Sequence, residues 1–129
     1  MIAVNEIVKV KQIQTVDEEE VLLFVGKVLH HDDSKIVLKI EYENKYIKTL
    51  TIEKINDTTI ALRNNFEEPT ILKKGEKSQF KYSLGSQYIL LDCILNELNF
   101  KNDYIELDYS FYQNNSHVSH NKLIISNDI

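Results

Sequence analysis

Short runs of alternating apolar and polar residues dominate this chain. From Tyr104 to Tyr112, Ile105, Leu107, Tyr109 and Phe111 share one parity, and Glu106, Asp108 and Ser110 share the other. Successive side chains of a strand point to opposite faces, so the segment predicts a β-strand with one buried and one wet side. Ile36, Leu38, Ile40 and Tyr42 repeat the pattern against Val37, Lys39 and Glu41, and Leu50 and Ile52 repeat it against Thr49, Thr51 and Glu53.

Turn-forming residues punctuate these runs. Asp32-Asp33-Ser34, Glu43-Asn44, Asn56-Asp57, Asn64-Asn65, Asn102-Asp103 and Asn114-Asn115 recur at the rhythm of a meander. With only three glycines in the chain, Asn and Asp must take the turn positions that need positive φ. Gly26 interrupts the apolar stretch from Val21 to Leu29 and predicts a bulge or bend there. Pro69 falls at the start of a short strand, where a missing N–H does least harm. Ten strands follow, at 5–15, 20–30, 35–43, 45–55, 58–63, 70–73, 76–83, 87–97, 104–113 and 118–127. Short connections make neighbours antiparallel, and the set can stack as a sandwich or close as a barrel.

The segment from Gln87 to Phe100 also admits a helix, since Ile89, Leu90, Cys93, Ile94 and Leu98 fall at helical spacing. The alternate set Ile89, Leu91, Cys93 and Leu95 serves a strand equally well, and the strand is the reading kept.

Composition narrows the class. At 129 residues, with 43% hydrophobic and 27% charged, the chain fits one globular domain with a real core. No low-complexity tract or linker divides it; the acidic run Asp17-Glu18-Glu19-Glu20 reads as a loop between the first two strands. A formal charge of −5 repels phosphate backbones, so no nucleic-acid partner is expected. The longest apolar run, Val21 to Val25, is far short of a membrane-spanning helix, and no membrane partner is expected. Cys93 stands alone, which excludes an intrachain disulfide. With no basic segment and long apolar stretch at the N-terminus, the expected location is the cytoplasm.

The order of elements in the second half carries a resemblance. Ile60-Ala61-Leu62-Arg63 is followed by Thr70-Ile71-Leu72, then Lys74-Gly75-Glu76-Lys77 and Phe80-Lys81-Tyr82-Ser83-Leu84-Gly85. A long apolar strand, the Ile105-x-Leu107-x-Tyr109 strand and a closing Ser119-x-Asn121-x-Leu123-x-Ile125 complete it. This succession resembles the YwiB-like family of small bacterial proteins of unknown function. The chain departs from that pattern at Tyr82, where the family tends to have Thr, and at Asn64-Asn65, which replaces a Gly. The resemblance implies an all-β fold: an antiparallel meander closed, or nearly closed, into a lipocalin-like, calycin-type barrel of about eight to ten strands. It implies no activity.

Candidate chemistry is sparse. A barrel of this kind can enclose a small apolar or amphipathic ligand, and an acidic head would call for a cation with hydroxyls nearby. Arg63, the sole guanidinium, with Tyr82 and Tyr109, forms the candidate ligand-binding set. Parity argues against Arg63, because Ile60 and Leu62 share one face and place Arg63 on the other with Ala61. On that reading Arg63 pairs with surface carboxylates.

The histidines come as His30-His31 beside Asp32-Asp33 and as His117-x-x-His120. Neither spacing matches a zinc motif, so no metal and no cofactor is expected, and the histidines read as exposed residues at strand ends or in loops. Cys93 lies in an apolar run as a small core residue. Ser83 and Ser86 flank Gly85 without a Gly-x-Ser-x-Gly pattern, and Glu106 and Asp108 share a strand's wet face, so no catalytic residue is assigned. The expected function is non-enzymatic binding of a small apolar or amphipathic molecule inside the barrel. The alternative is a protein-interaction module with a filled core, acting through its surface or edge strands as a homodimer.

Overall fold

The computed structural model describes residues 2–41, 47–65, 68–84 and 86–127, with the side chains of residues 47 and 82–84 outside that description. Every regular element in it is a strand: β1 (Ile7–Thr15), β2 (Glu19–His31), β3 (Lys35–Glu41), β4 (Ile47–Asn56), β5 (Thr59–Asn64), β6 (Thr70–Lys73), β7 (Lys77–Leu84), β8 (Gln87–Phe100), β9 (Tyr104–Gln113) and β10 (Ser116–Ser126). Among the described residues no helix is long and apolar enough to cross a membrane. Tyr42, the Glu43-Asn44 turn and Gly85 lie outside the described residues.

The strands form one antiparallel sheet in the order β6-β5-β4-β3-β2-β1-β10-β9-β8-β7. The first and last strands therefore meet in its middle, with Val10 opposite Ile125 and Ile13 opposite Lys122. The two sheet edges belong to β6 and β7, which are consecutive in the chain. Between them Lys74 forms a parallel bridge to Leu95, and the Gly75 N–H donates to the Leu95 carbonyl at 2.9 Å. Gly75 takes φ +77 there, a conformation side chains other than Gly rarely hold. That short link carries the chain from one edge to the other and leaves the barrel nearly closed.

Asparagine takes the other positive-φ positions among the described residues. Asn114 and Asn115 both have positive φ, 51° and 66°, as a two-residue hairpin between β9 and β10 requires. Asn65 has φ 53° at the end of β5, and its side-chain oxygen accepts the Thr49 N–H at 2.9 Å.

The β8 segment is a strand throughout; its helical look comes from apolar Leu90 and Ile94 on the outward face and from a bulge that brings Leu98 inward. Register shifts between Leu95 and Glu97, leaving Asn96 as an extra residue. Before it, Leu91, Cys93 and Leu95 face inward; after it, Leu98 and Phe100 do, opposite Leu107 and Ile105. Gly26, in contrast, carries no bulge. It pairs with Val8 on one side and Ile40 on the other, and the β2 irregularity falls later, between Val28 and His30. Gly26 faces the interior, where a Cβ would meet Val10, Leu38 and Ile40 at 3.6 Å.

The core is aliphatic. Val8, Val28, Ile36, Ile52, Ile60, Cys93, Leu95, Ile105, Leu107 and Ile125 are completely buried. Each large aliphatic among them contributes about 1.5–3 kcal/mol on burial. The N-terminal segment closes one end of the barrel. Ile2 is buried, its N–H donates to Asn102 at 3.0 Å, and the Asn5 N–H donates to Val28 at 2.8 Å.

Candidate functional site

The interior opens to solvent at the end opposite Ile2. Along β2 the inward positions run from Val28, fully buried, through Gly26 and half-buried Phe24 to Leu22, 44% exposed. Along β8 they run from Cys93 at 0% through Leu91 to Ile89 at 39%. Packed aliphatic layers thus fill the Ile2 end, and the inward face becomes accessible toward the β1–β2, β7–β8 and β9–β10 turns.

At that end the inward face changes chemistry. On β1, Val8 and Val10 are followed at the same parity by Gln12 and Gln14, both half-buried. On β10, Ile125 and Leu123 are preceded by Asn121 and Ser119, which are 2% and 1% exposed, and Asn121 Nδ2 donates to Ser119 Oγ at 3.1 Å. Register sets Gln14 opposite Asn121 and Asn121 opposite Tyr109, so the three form a cross-strand row over β1, β10 and β9. Directly opposed side chains of this kind lie close enough to interact. The adjoining wall is aromatic: the Phe111 ring lies 5.5 Å from that of Tyr109 and 5.1 Å from that of Phe80. On β4 and β5 the same parity as Leu50, Ile52, Ile60 and Leu62 brings Lys48 and Asn64 to the inner side. Asn64 Oδ1 is buried and has no hydrogen-bond partner among the described residues.

The three candidate residues from the sequence fall in different places. Tyr109 is buried on the inward face of β9. Arg63 is exposed on β5 opposite Thr51, on the face that parity assigned it, and does not share Tyr109's side of the sheet. Tyr82 pairs through its backbone with Ile89, and its side chain lies outside the described residues. From the sequence, Asn64 stands out only as a turn residue and Ser119 and Asn121 only within the closing motif, while Gln12, Gln14 and Lys48 do not stand out at all. The signal was present: extending each strand's apolar alternation by one or two steps reaches them.

Of the strand ends and loops open to the histidines, the structure selects strands: His30 and His31 end β2, His117 stands near the start of β10 and His120 lies further along it. His30 is exposed and lies 2.8 Å from Asp32, whose carboxyl is held well below the ordinary range by the Ser34 N–H and by His30. His31 is half-buried against Phe100, with Nδ1 2.8 Å from the Ile2 carbonyl oxygen. His120 lies 2.6 Å from Asp108 on the outer face, and His117 stacks edge-on against Tyr112 at 5.4 Å. Among the described residues no three His, Cys, Asp or Glu side chains converge as metal ligands would. Cys93 is buried, and desolvation pushes its thiol up to about 12, which removes the thiolate needed for nucleophilic chemistry. Tyr104 donates to Glu106 at 2.7 Å, and that hydrogen bond raises its phenol to about 12.

Ten antiparallel strands around one aliphatic core, shut by the N-terminal segment and opening over a polar row, define a small, nearly closed β-barrel of YwiB-like fold. The crystal structure of the ywiB protein from Bacillus subtilis is similar to it, with a TM-score of 0.62 over 95% of this chain and 91% of that one. Identity between the two is 10%, so the likeness is one of fold. No protein-family model and no curated protein sequence matches the chain.

Proposed function

We propose that the barrel binds a small amphipathic molecule at its open end, without catalysis. The apolar body lies against Phe80, Leu91 and Phe111, and the polar part meets the row Gln14, Asn121 and Tyr109. The observation that carries this reading is the near-complete burial of Asn121 and Ser119 where the inward face turns from aliphatic to polar and aromatic. Burying an amide and a hydroxyl there costs more than burying Leu or Val, since each must keep a hydrogen-bond partner. A polar ligand group recognised at that level accounts for the choice. Exposed Leu22, opposite Gln12 and diagonal to Gln14, supplies an apolar entrance.

Native mass spectrometry of the protein purified gently from its own host tests this. The expected result is an added mass of a few hundred daltons that is lost on denaturation, and that Asn121→Leu removes while the barrel stays folded. Losing one such hydrogen bond weakens binding about tenfold to a hundredfold. A bare polypeptide mass in every preparation overturns the reading.

A further inference from the structure

Strand β2 carries a second apolar surface that the barrel interior does not use. Its outward positions Val21, Leu23 and Val25 are all aliphatic and exposed, Leu23 at 65%, and Ile13 on β1 lies opposite Val21. Single exposed apolar residues occur at outward positions elsewhere, such as Ile71 on β6 and Tyr88 and Leu90 on β8, but among the described residues no other strand has three in succession. On β9 and β10, Lys122 lies 3.5 Å from Glu106 and His120 lies 2.6 Å from Asp108. Three consecutive outward aliphatics on a strand of a water-facing sheet mark a surface meant to be covered.

The charges around this stripe are arranged by sign. Glu19 stands at one end and Lys27 at the other, each exposed and each four positions from Leu23. Asp17 and Glu18 extend the acidic end at the hairpin tip, and Lys39, paired with Lys27 across β2 and β3, extends the basic end. None of these five forms an ion pair with a described residue of its own chain.

We propose that this face docks a second copy of the same chain, antiparallel, about a twofold axis that crosses β2 at Leu23. A surface that is acidic at one end, aliphatic in the middle and basic at the other is self-complementary under that operation. The twofold sets Leu23 against Leu23, Val21 against Val25, and Glu19 of each copy against Lys27 of the other. The acidic tip Asp17-Glu18 then lies toward the second copy's Lys39. Lys11, level with Leu23 on β1, is the one like-charge meeting on the axis, and its long stem can carry the ammonium outward to solvent.

Sedimentation equilibrium on the whole chain tests the proposal, with circular dichroism to confirm folding. The expected result is a reversible dimer that weakens as salt rises, because exposed ion pairs are screened. Leu23→Glu, at an exposed position, leaves the barrel folded and monomeric. Glu19→Lys and Lys27→Glu each weaken the dimer roughly tenfold, because the twofold repeats every contact. The double variant Glu19→Lys/Lys27→Glu restores it to within about threefold of the parent. A monomer at all concentrations overturns the proposal, whether or not another protein co-purifies. A dimer that Leu23→Glu leaves intact, or charge reversals that fail to rescue each other, overturns it equally.

Discussion

Nδ1 of His31 lies 2.8 Å from the carbonyl oxygen of Ile2, and this contact ties the end of β2 to the segment that plugs the barrel. A carbonyl only accepts, so Nδ1 carries the proton, and Nε2, buried without a partner among the described residues, is the bare nitrogen. His31→Ala removes this hydrogen bond and the packing against Phe100. The expected loss is about 1–3 kcal/mol in urea unfolding, with faster amide exchange at Ile2. His30→Ala, exposed beside Asp32, should change stability by less than about 0.5 kcal/mol. Imidazole nitrogen shifts that report a proton on Nε2 would contradict the assignment.

Asn96 sets the inward parity of the whole of β8. Its side-chain amide donates to Asp108 Oδ1 and Ser110 Oγ, each at 3.0 Å, and so the extra residue is held on the outer face. Deleting it forces Leu98 and Phe100, or else Leu91, Cys93 and Leu95, to turn outward. Exposing two or three such side chains costs about 1.5–3 kcal/mol each, comparable with the roughly 5–15 kcal/mol that holds a domain together. The deletion should therefore not fold, whereas Asn96→Ala should fold with a loss of about 1–2 kcal/mol. A deletion variant with a parent-like melting curve would disprove the bulge.

That bulge also shows where alternation stops informing. Ile105, Leu107, Tyr109 and Phe111 all face inward, as their spacing requires, and the ten strands fall close to the positions that periodicity assigns. Alternation tells which side of a strand is wet, but not which strand lies next to it. The meeting of β1 with β10 and the seam between β6 and β7 come from long-range packing. Apolar Leu90 and Ile94 at outward positions, and the bulge at Asn96 that brings Leu98 inward, mix two parities in one segment, which is why a helix fits the same residues. In the sequence the only cue at Gly26 is its lack of a side chain, which predicts an irregularity; its neighbours Val10, Leu38 and Ile40 are what fill that space. The polar inward row was hidden for another reason. Gln12, Gln14 and Asn121 look like the end of a buried face, since a polar residue is ordinarily assigned to water. His31 finds its partner 29 residues away, beyond any local pattern.

Cys93 is completely buried, and burial raises its thiol to about 12. Reaction with an aromatic disulfide reagent at mildly alkaline pH should therefore proceed only through unfolding, with a rate that tracks the unfolding rate as urea is added. In denaturant the thiol should react at the rate of a free cysteine. Rapid labelling of the native protein would show that β8 opens locally, and would place Cys93 outside the rigid core.

Asp32 gathers the turn between β2 and β3 around one carboxylate. Its Oδ1 accepts from the Ser34 N–H and the Lys35 N–H, both at 2.9 Å, and Oδ2 lies 2.8 Å from His30 Nε2. The Ser34 N–H and His30 hold its folded-state pKa well below the value of about 3.9 it takes in the unfolded chain. A carboxyl depressed on folding contributes stability above its unfolded pKa and loses it as pH falls through the folded value. The contribution is therefore complete above about pH 5 and declines on acidification below about pH 4. Asp32→Asn keeps an oxygen for the two N–H groups but has no charge to lose. The variant should be modestly less stable near neutrality, and its stability should fall less steeply in acid than the parent's. Carbon-detected titration of the Asp side chains checks the cause directly. Asp32 should stay ionised well below the ordinary carboxylate range, and a midpoint near 3.9 would remove the basis for the expected difference in acid.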